Sequence, residues 1–264
     1  MKTDKISPHF PWILVGNHLS FLGKPSCCQG RVHLRNQSSE KLRIKRIPLV
    51  DSKLSGPAEV PVSGLQVFAR LLPGAEVQAC AQIFMPPQTQ PGRYSAEALV
   101  GESRKDVTVD VLESWDIAVI PSTLSLKLAV GTHLTRTIQV TNLGNMPWEI
   151  RGAAFAPLHE QHDIHRDIYL SLKEGGKSGY EKVLNDFAAR LHDTLVEPAK
   201  IKIKSKTEVL QPGETEDIEL EISLPASLKK NRRYNCEVTF ENASLLLEIE
   251  MRQPSTATRK GSKS

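Results

Sequence analysis

The sequence sets out one plan twice. Residues 210–225, LQPGETEDIELEISLP, repeat the layout of residues 71–86, LLPGAEVQACAQIFMP. In each, a Pro-Gly pair is followed by 11 residues and a further proline. After the turn, Val77, Ala79, Ala81, Ile83 and Met85 alternate with other residues, as do Ile218, Leu220, Ile222 and Leu224. Period-two alternation of this length predicts a strand with one buried face. Pro86 and Pro225 end the two strands, because proline cannot donate a ladder hydrogen bond.

The matches run in order along the chain. YSAEALV at 94–100 matches YNCEVTF at 234–240, putting Tyr94, Ala96, Ala98 and Val100 in phase with Tyr234, Cys236, Val238 and Phe240. Val107, Val109 and Val111 then answer Leu247, Ile249 and Met251. Upstream, RVHLRNQSSEKLRI at 31–44 lines up with TIQVTNLGNMPWEI at 137–150, and HLSF echoes TLSL. Asn36 and Asn142 fall at strand ends, where an Asn side chain can close the turn on its own backbone. The ordered set predicts two copies of a unit of about seven short strands. Such units bury alternate residues between two facing antiparallel sheets.

The Asn-terminated strand, the Pro-Gly turn, the amphipathic strand ending in proline and the Tyr-bearing strand resemble bacterial immunoglobulin-like domains of the NPCBM-associated type. The likeness covers about residues 10–152 and 207–252. It implies an all-β fold of two tandem Ig-like antiparallel β-sandwiches, the second with a helix-containing insertion. It also implies roles as spacers, adhesive units or accessories of carbohydrate enzymes, and assigns none of them to a residue. The expected domains are 1–112 and 113–252, with a disordered basic tail at 253–264.

The insertion follows from two offsets. Asn36 and Asn142 lie 106 residues apart, and Gly74 and Gly213 lie 139 apart, so the second copy carries 33 extra residues. They fall within about 157–206. Ile168, Leu170 and Leu172 alternate and predict a strand. Ser178 with Glu181 reads as a capping box. The helix after it carries Tyr180, Val183, Leu184, Phe187, Leu191 and Leu195 on one stripe, and Pro198 ends it. Such a stripe either packs on its own sandwich or docks a partner; for docking, the residues are Tyr180, Val183, Leu184, Phe187 and Leu191. The turn, helix and strand layout of this domain also resembles camelysin and TasA-type sandwiches.

Three other patterns carry chemistry. HEQHDIH places His159, His162 and His165 at intervals of three, beside Glu160, Asp163 and His192, a donor set suited to zinc, copper or nickel. Against this, the spacing is not HExxH and the segment reads as a loop. KIKIKSK sets Lys200, Lys202, Lys204 and Lys206 on one side of a strand, and KLRIKR at 41–46 does the same. Lysine rows protect an edge strand from pairing; they also offer a strip to a polyanion. Trp12 and Trp115 open the two domains and are expected under their first strands, with Trp148 in the second core.

No GxSxG elbow, GxxxxGK[ST] loop or GxGxxG turn is present, so no enzyme and no cofactor are expected. The four cysteines form no CxxC pair and read as reduced, with a bridge from Cys27 or Cys28 to Cys80 left open. Basic and acidic residues number 34 and 30, a net charge of +4 too balanced to predict nucleic-acid binding, and aromatic residues for base stacking are only 5%, so no nucleic-acid partner is expected. No apolar run spans a membrane and no export signal is read at the start, so a cytoplasmic site is expected, a cell-surface one staying open. The function expected is non-catalytic: binding another protein or building an assembly. The alternatives are a carbohydrate-binding accessory module and a metal protein using the histidines.

Overall fold

The computed structural model describes residues 10–129, 131–175, 179–193 and 197–252. The basic tail at 253–264, Ser178 of the capping box and Leu195 lie outside them. Two compact units are present. One holds the described residues through Asp116 with Leu143–Trp148 and Gln211–Gly213. The other holds Ile117–Asn142, Glu149–Leu210 and the described residues from Glu214 on.

The first sandwich has strands β1 (Trp12–Val15), β2 (His18–Lys24), β3 (Cys27–Asn36), β4 (Leu42–Ile47), β5 (Lys53–Leu54), β6 (Val60–Pro61), β7 (Leu65–Leu71), β8 (Glu76–Ile83), β9 (Gly92–Val100) and β10 (Ser103–Val111). The long β3 pairs with β2 along its first half and β1 along its second. One layer therefore runs β1-β3-β8-β7-β4 and the other β2-β10-β9. Leu49 and Ser55 bridge to Ala98 and Ser95, so the chain after β4 changes layers and lines the free side of β9. Crossing from one sheet to the other along a single segment is how the sandwich closes. Side chains alternate through the layers, and Phe21, Val32, Leu34, Val67, Ala81, Tyr94 and Val109 fill the space between them.

The second sandwich repeats this plan with β11 (Ile117–Ile120), β12 (Thr123–Leu128), β13 (His133–Asn142), β14 (Trp148–Glu149), β15 (Ala153–Ala156), β16 (His159–Glu160), β17 (Ala199–Lys204), β18 (Val209–Leu210), β19 (Thr215–Ser223), β20 (Arg233–Phe240) and β21 (Ala243–Met251). Its layers run β11-β13-β19-β17-β15 and β12-β21-β20-β16. The register repeats too. Trp12 opposes Asn36 as Ile117 opposes Asn142, and Tyr94 opposes Val109 as Tyr234 opposes Ile249. In both, the strand after the first pairs in parallel with the last: β2 with β10, and β12 with β21. The molecule is two tandem Ig-like antiparallel β-sandwiches.

The shared sequence features have shared structural causes. Pro73-Gly74 forms a turn closed by the Ala75 amide on the Leu72 carbonyl at 3.0 Å, with Gly74 at φ 69°. Only glycine adopts that angle without strain, and Gly213 does so at φ 84°. The buried Asn36 amide donates to the carbonyls of Glu40, Leu71 and Leu72, and Asn142 to that of Leu210. Each Asn thus ties the end of its strand to the strand that precedes the Pro-Gly turn.

Two helices, α1 (Asp163–Gly175) and α2 (Tyr180–Asp193), separate β16 from β17. The strand expected over Ile168–Leu172 is instead the middle of α1, because Ile164, Ile168 and Leu172 recur at helical spacing. β16 pairs with β20 as residues 49–55 pair with β9, and β17 sits inside the first layer.

Candidate functional site

Helix α1 is amphipathic the wrong way round for a helix serving its own core. Asp167 and Ser171 are buried, while Ile164, Ile168, Tyr169 and Leu172 face solvent, Leu172 at 56%. A polar stripe is turned inward and an apolar stripe outward. The inward side is held by charge. Glu160, at the end of β16, keeps a side chain only 2% exposed and pairs with Arg166 and, at 3.4 Å, with Arg232. Arg166 also donates from Nε to Asp167 at 3.2 Å. Burial opposes the Arg166 charge, but the hydrogen bond and charge of Glu160, with those of Asp167, hold its pKa above the ordinary value.

Helix α2 packs beside α1 and is tied to it through Arg190, which reaches Glu174 on α1 and, at 2.9 Å from Nε, its own Asp186. Val183 and Phe187 are half-buried. Tyr180, Leu184 and Leu191 are exposed, Tyr180 at 78%. The stripe read from the sequence is therefore split between a half-buried pair and three exposed residues. The sequence reading missed the α1 members, Ile164, Ile168, Tyr169 and Leu172; their i, i+4 spacing was the available signal.

The histidines are placed differently. His159 lies on β16, His162 adopts a left-handed φ of 69° ahead of α1, and His165 lies on its first turn, all three exposed. The rings of His162 and His165 are 6.4 Å apart. Among the described residues no group of three His, Cys, Asp or Glu side chains is placed to hold a metal ion. His192 and Asp163 have side chains outside the described set.

Strand β17 is not an edge. It pairs with β15 on one side and β19 on the other, so its lysines form the solvent face of an interior strand. Lys202 stands opposite Glu221, and Lys204 opposite Glu219 while also paired to Glu221. Lys200 faces Ser223, and Lys206 lies beyond the strand with its amide on Glu216. That row is largely neutralised by its glutamates. The KLRIKR stretch, by contrast, is on β4, a true edge with a bulge between Ile44 and Arg46.

Trp12 is buried but Trp115 is 45% exposed, a departure from the expected packing. Registers explain it: the counterpart of Trp12 is Ile117, and both Phe10 and Trp115 precede their first strands. Trp148 is buried on the strand paired with β18. All four cysteines are free. No described helix is long and apolar enough to cross a membrane. The four most exposed rings among the described residues, Phe68, Phe155, Tyr169 and Tyr180, lie on four different elements.

No protein-family model and no curated protein matches this chain. Among solved structures it is similar to a protein of unknown function from Porphyromonas gingivalis, at 12% identity over 91% of this chain and 100% of that one, with a TM-score of 0.27. An I-band fragment from titin matches at 10% identity over 93% and 66% of the two chains, with a TM-score of 0.33. A complex of Dpr2 Ig1-Ig2 with DIP-Theta Ig1-Ig3 matches at 11%, 92% and 65%, with a TM-score of 0.26.

Proposed function

We propose that this is a non-catalytic interaction protein that binds another protein through the helical hairpin α1–α2 of its second sandwich. One observation carries the reading: α1 buries Asp167 and Ser171 and turns Ile164, Ile168 and Leu172 to solvent. A helix stabilised only by its own domain does the reverse. Together with Tyr180, Leu184 and Leu191 on α2, the outward residues form an apolar surface of the kind that marks recognition. The ionic anchor at Glu160 and Arg166 fixes the hairpin where the sandwich presents it. On the strength of the Asn-terminated strand and the Pro-Gly turn, both sandwiches are assigned to the bacterial NPCBM-associated type.

The test is affinity purification of the tagged full chain from its native cells, beside the variant Leu172→Asp/Leu184→Asp. Both residues are exposed, so the variant keeps its fold by circular dichroism. Proteins recovered with the parent and absent with the variant support the hairpin. Recovery of the same set from both would sink the assignment.

A further inference from the structure

The repeat gives each sandwich the same sheet face, and the two faces carry different charge. In the second, the outward residues of β19 include Asp217, Glu219 and Glu221, the last two opposite Lys204 and Lys202 of β17. In the first, the positions in the same register on β8 are Gln78, Cys80 and Gln82. The acids are gone, Gln66 stands where Lys202 stands, and the bases of this face lie at other positions. Arg31 stands opposite Cys80, Arg43 opposite Arg70, and Arg46 opposite Gln66, with Lys45 at the register shift between Ile44 and Arg46. Glu76 pairs with Arg35 and His33. Among the described residues, no carboxylate is paired with Arg31, Arg43, Lys45, Arg46 or Arg70.

Two features set this face apart from an ordinary solvated one. Arg43 and Arg70 are directly opposed across strands, an arrangement that costs stability unless an anion lies over it. Phe68, between Gln66 and Arg70 on β7, is 75% exposed. It borders a shallow depression of about 320 Å³ shared with Gln78, Cys80 and Gln82. A second depression of about 620 Å³ continues the surface past Arg31. The face thus combines unpaired guanidinium groups, a ring open to stacking and several side-chain amides.

We propose that the β3-β8-β7-β4 face of the first sandwich binds single-stranded nucleic acid. Guanidinium groups grip phosphates with two parallel hydrogen bonds. A base stacks on Phe68, which an acidic protein segment does not require. The glutamine amides meet base edges that a single strand leaves unpaired. This departs from the expectation drawn from net charge and aromatic content, because these bases and the exposed Phe68 are gathered on one face. It is independent of the hairpin reading.

The experiment is fluorescence anisotropy of the full chain with labelled 20-nucleotide oligo-dT and oligo-U, over a salt series. Micromolar binding is expected at about 50 mM salt, with a slope of log K on log salt near −3, from about 0.7 per phosphate contact. Arg43→Ala/Arg70→Ala should make the slope shallower by about 1.4 and weaken binding at least tenfold. Arg43→Lys/Arg70→Lys should keep the slope. Phe68→Ala should weaken binding roughly 5- to 150-fold and leave the slope unchanged. Lys200→Ala/Lys202→Ala should change neither. A preference for dT or U would name the nucleic acid, and either supports the site. No binding up to about 100 μM, or binding indifferent to the Arg and Phe variants, overturns it. Heparin or polyglutamate bound more tightly than both oligonucleotides, with Phe68→Ala silent, overturns it in favour of another polyanion.

Discussion

Tyr94 and Tyr234 occupy one position of the repeat and solve one problem in opposite ways. Both rings are fully buried. The Tyr94 hydroxyl donates to the Gln90 carbonyl at 2.8 Å, whereas that of Tyr234 accepts from the Lys229 amide at 3.0 Å. Tyr94→Phe and Tyr234→Phe should each cost about 1 kcal/mol in urea unfolding, with Tyr234→Phe the larger because it strands an amide. The buried thiols make a pH prediction. Burial, helped by Cys27, pushes Cys28 up to about 11, and burial pushes Cys236 up to about 12, from an ordinary 9.0. The folded chain holds these protons longer than the unfolded one. Their contribution is therefore full below pH 9 and lost as pH rises through 11 to 12. Tyr94 and Tyr234 are raised in the same sense, chiefly by burial. Melting midpoints between pH 8 and 11.5 should fall less steeply in Cys28→Ala/Cys236→Ala than in the parent, whatever the offset at pH 8.

The hairpin is where reading by periodicity failed, and the failure is instructive. Ile168, Leu170 and Leu172 satisfy a period of two, and Ile164, Ile168 and Leu172 a period near four, so the segment is ambiguous by pattern alone. Burial separates the readings, since Leu170 is half-buried while Ile168 and Leu172 are exposed. The same helix supports an energetic contrast. Arg166→Ala removes a partner of the buried Glu160 carboxylate and should destabilise by about 3 kcal/mol. Leu172→Asp, on the outward stripe, should change stability by less than about 0.5 kcal/mol. Chemical denaturation of both variants checks the pair; equal losses would mean that the outward stripe is part of the core.

For the whole molecule, the repeat was legible because Asn36/Asn142 and Gly74/Gly213 are fixed by backbone need, an Asn cap and a left-handed glycine. Strand order was not legible. KIKIKSK looked like an edge and lies inside a sheet, while the basic face draws Arg31, Arg43 and Arg70 from segments that only register brings together. The charge difference between sandwiches can be erased. Glu219→Gln/Glu221→Gln would free Lys202 and Lys204 and should raise oligonucleotide affinity with a steeper salt slope. Unchanged binding in the same anisotropy series would show that the freed lysines do not suffice, even beside the exposed Phe155 opposite Lys200. The parallel pairing of β2 with β10 and of β12 with β21 has a mechanical consequence. A tether drawing each sandwich by its two chain ends pulls the start of one strand against the finish of its neighbour. In each sandwich the paired residues, Asp106–Val111 against β2 and Thr123–Leu128 against β21, are then loaded together in shear and are not peeled one at a time. Stretching a sandwich along these strands meets the bonds of the whole ladder at once.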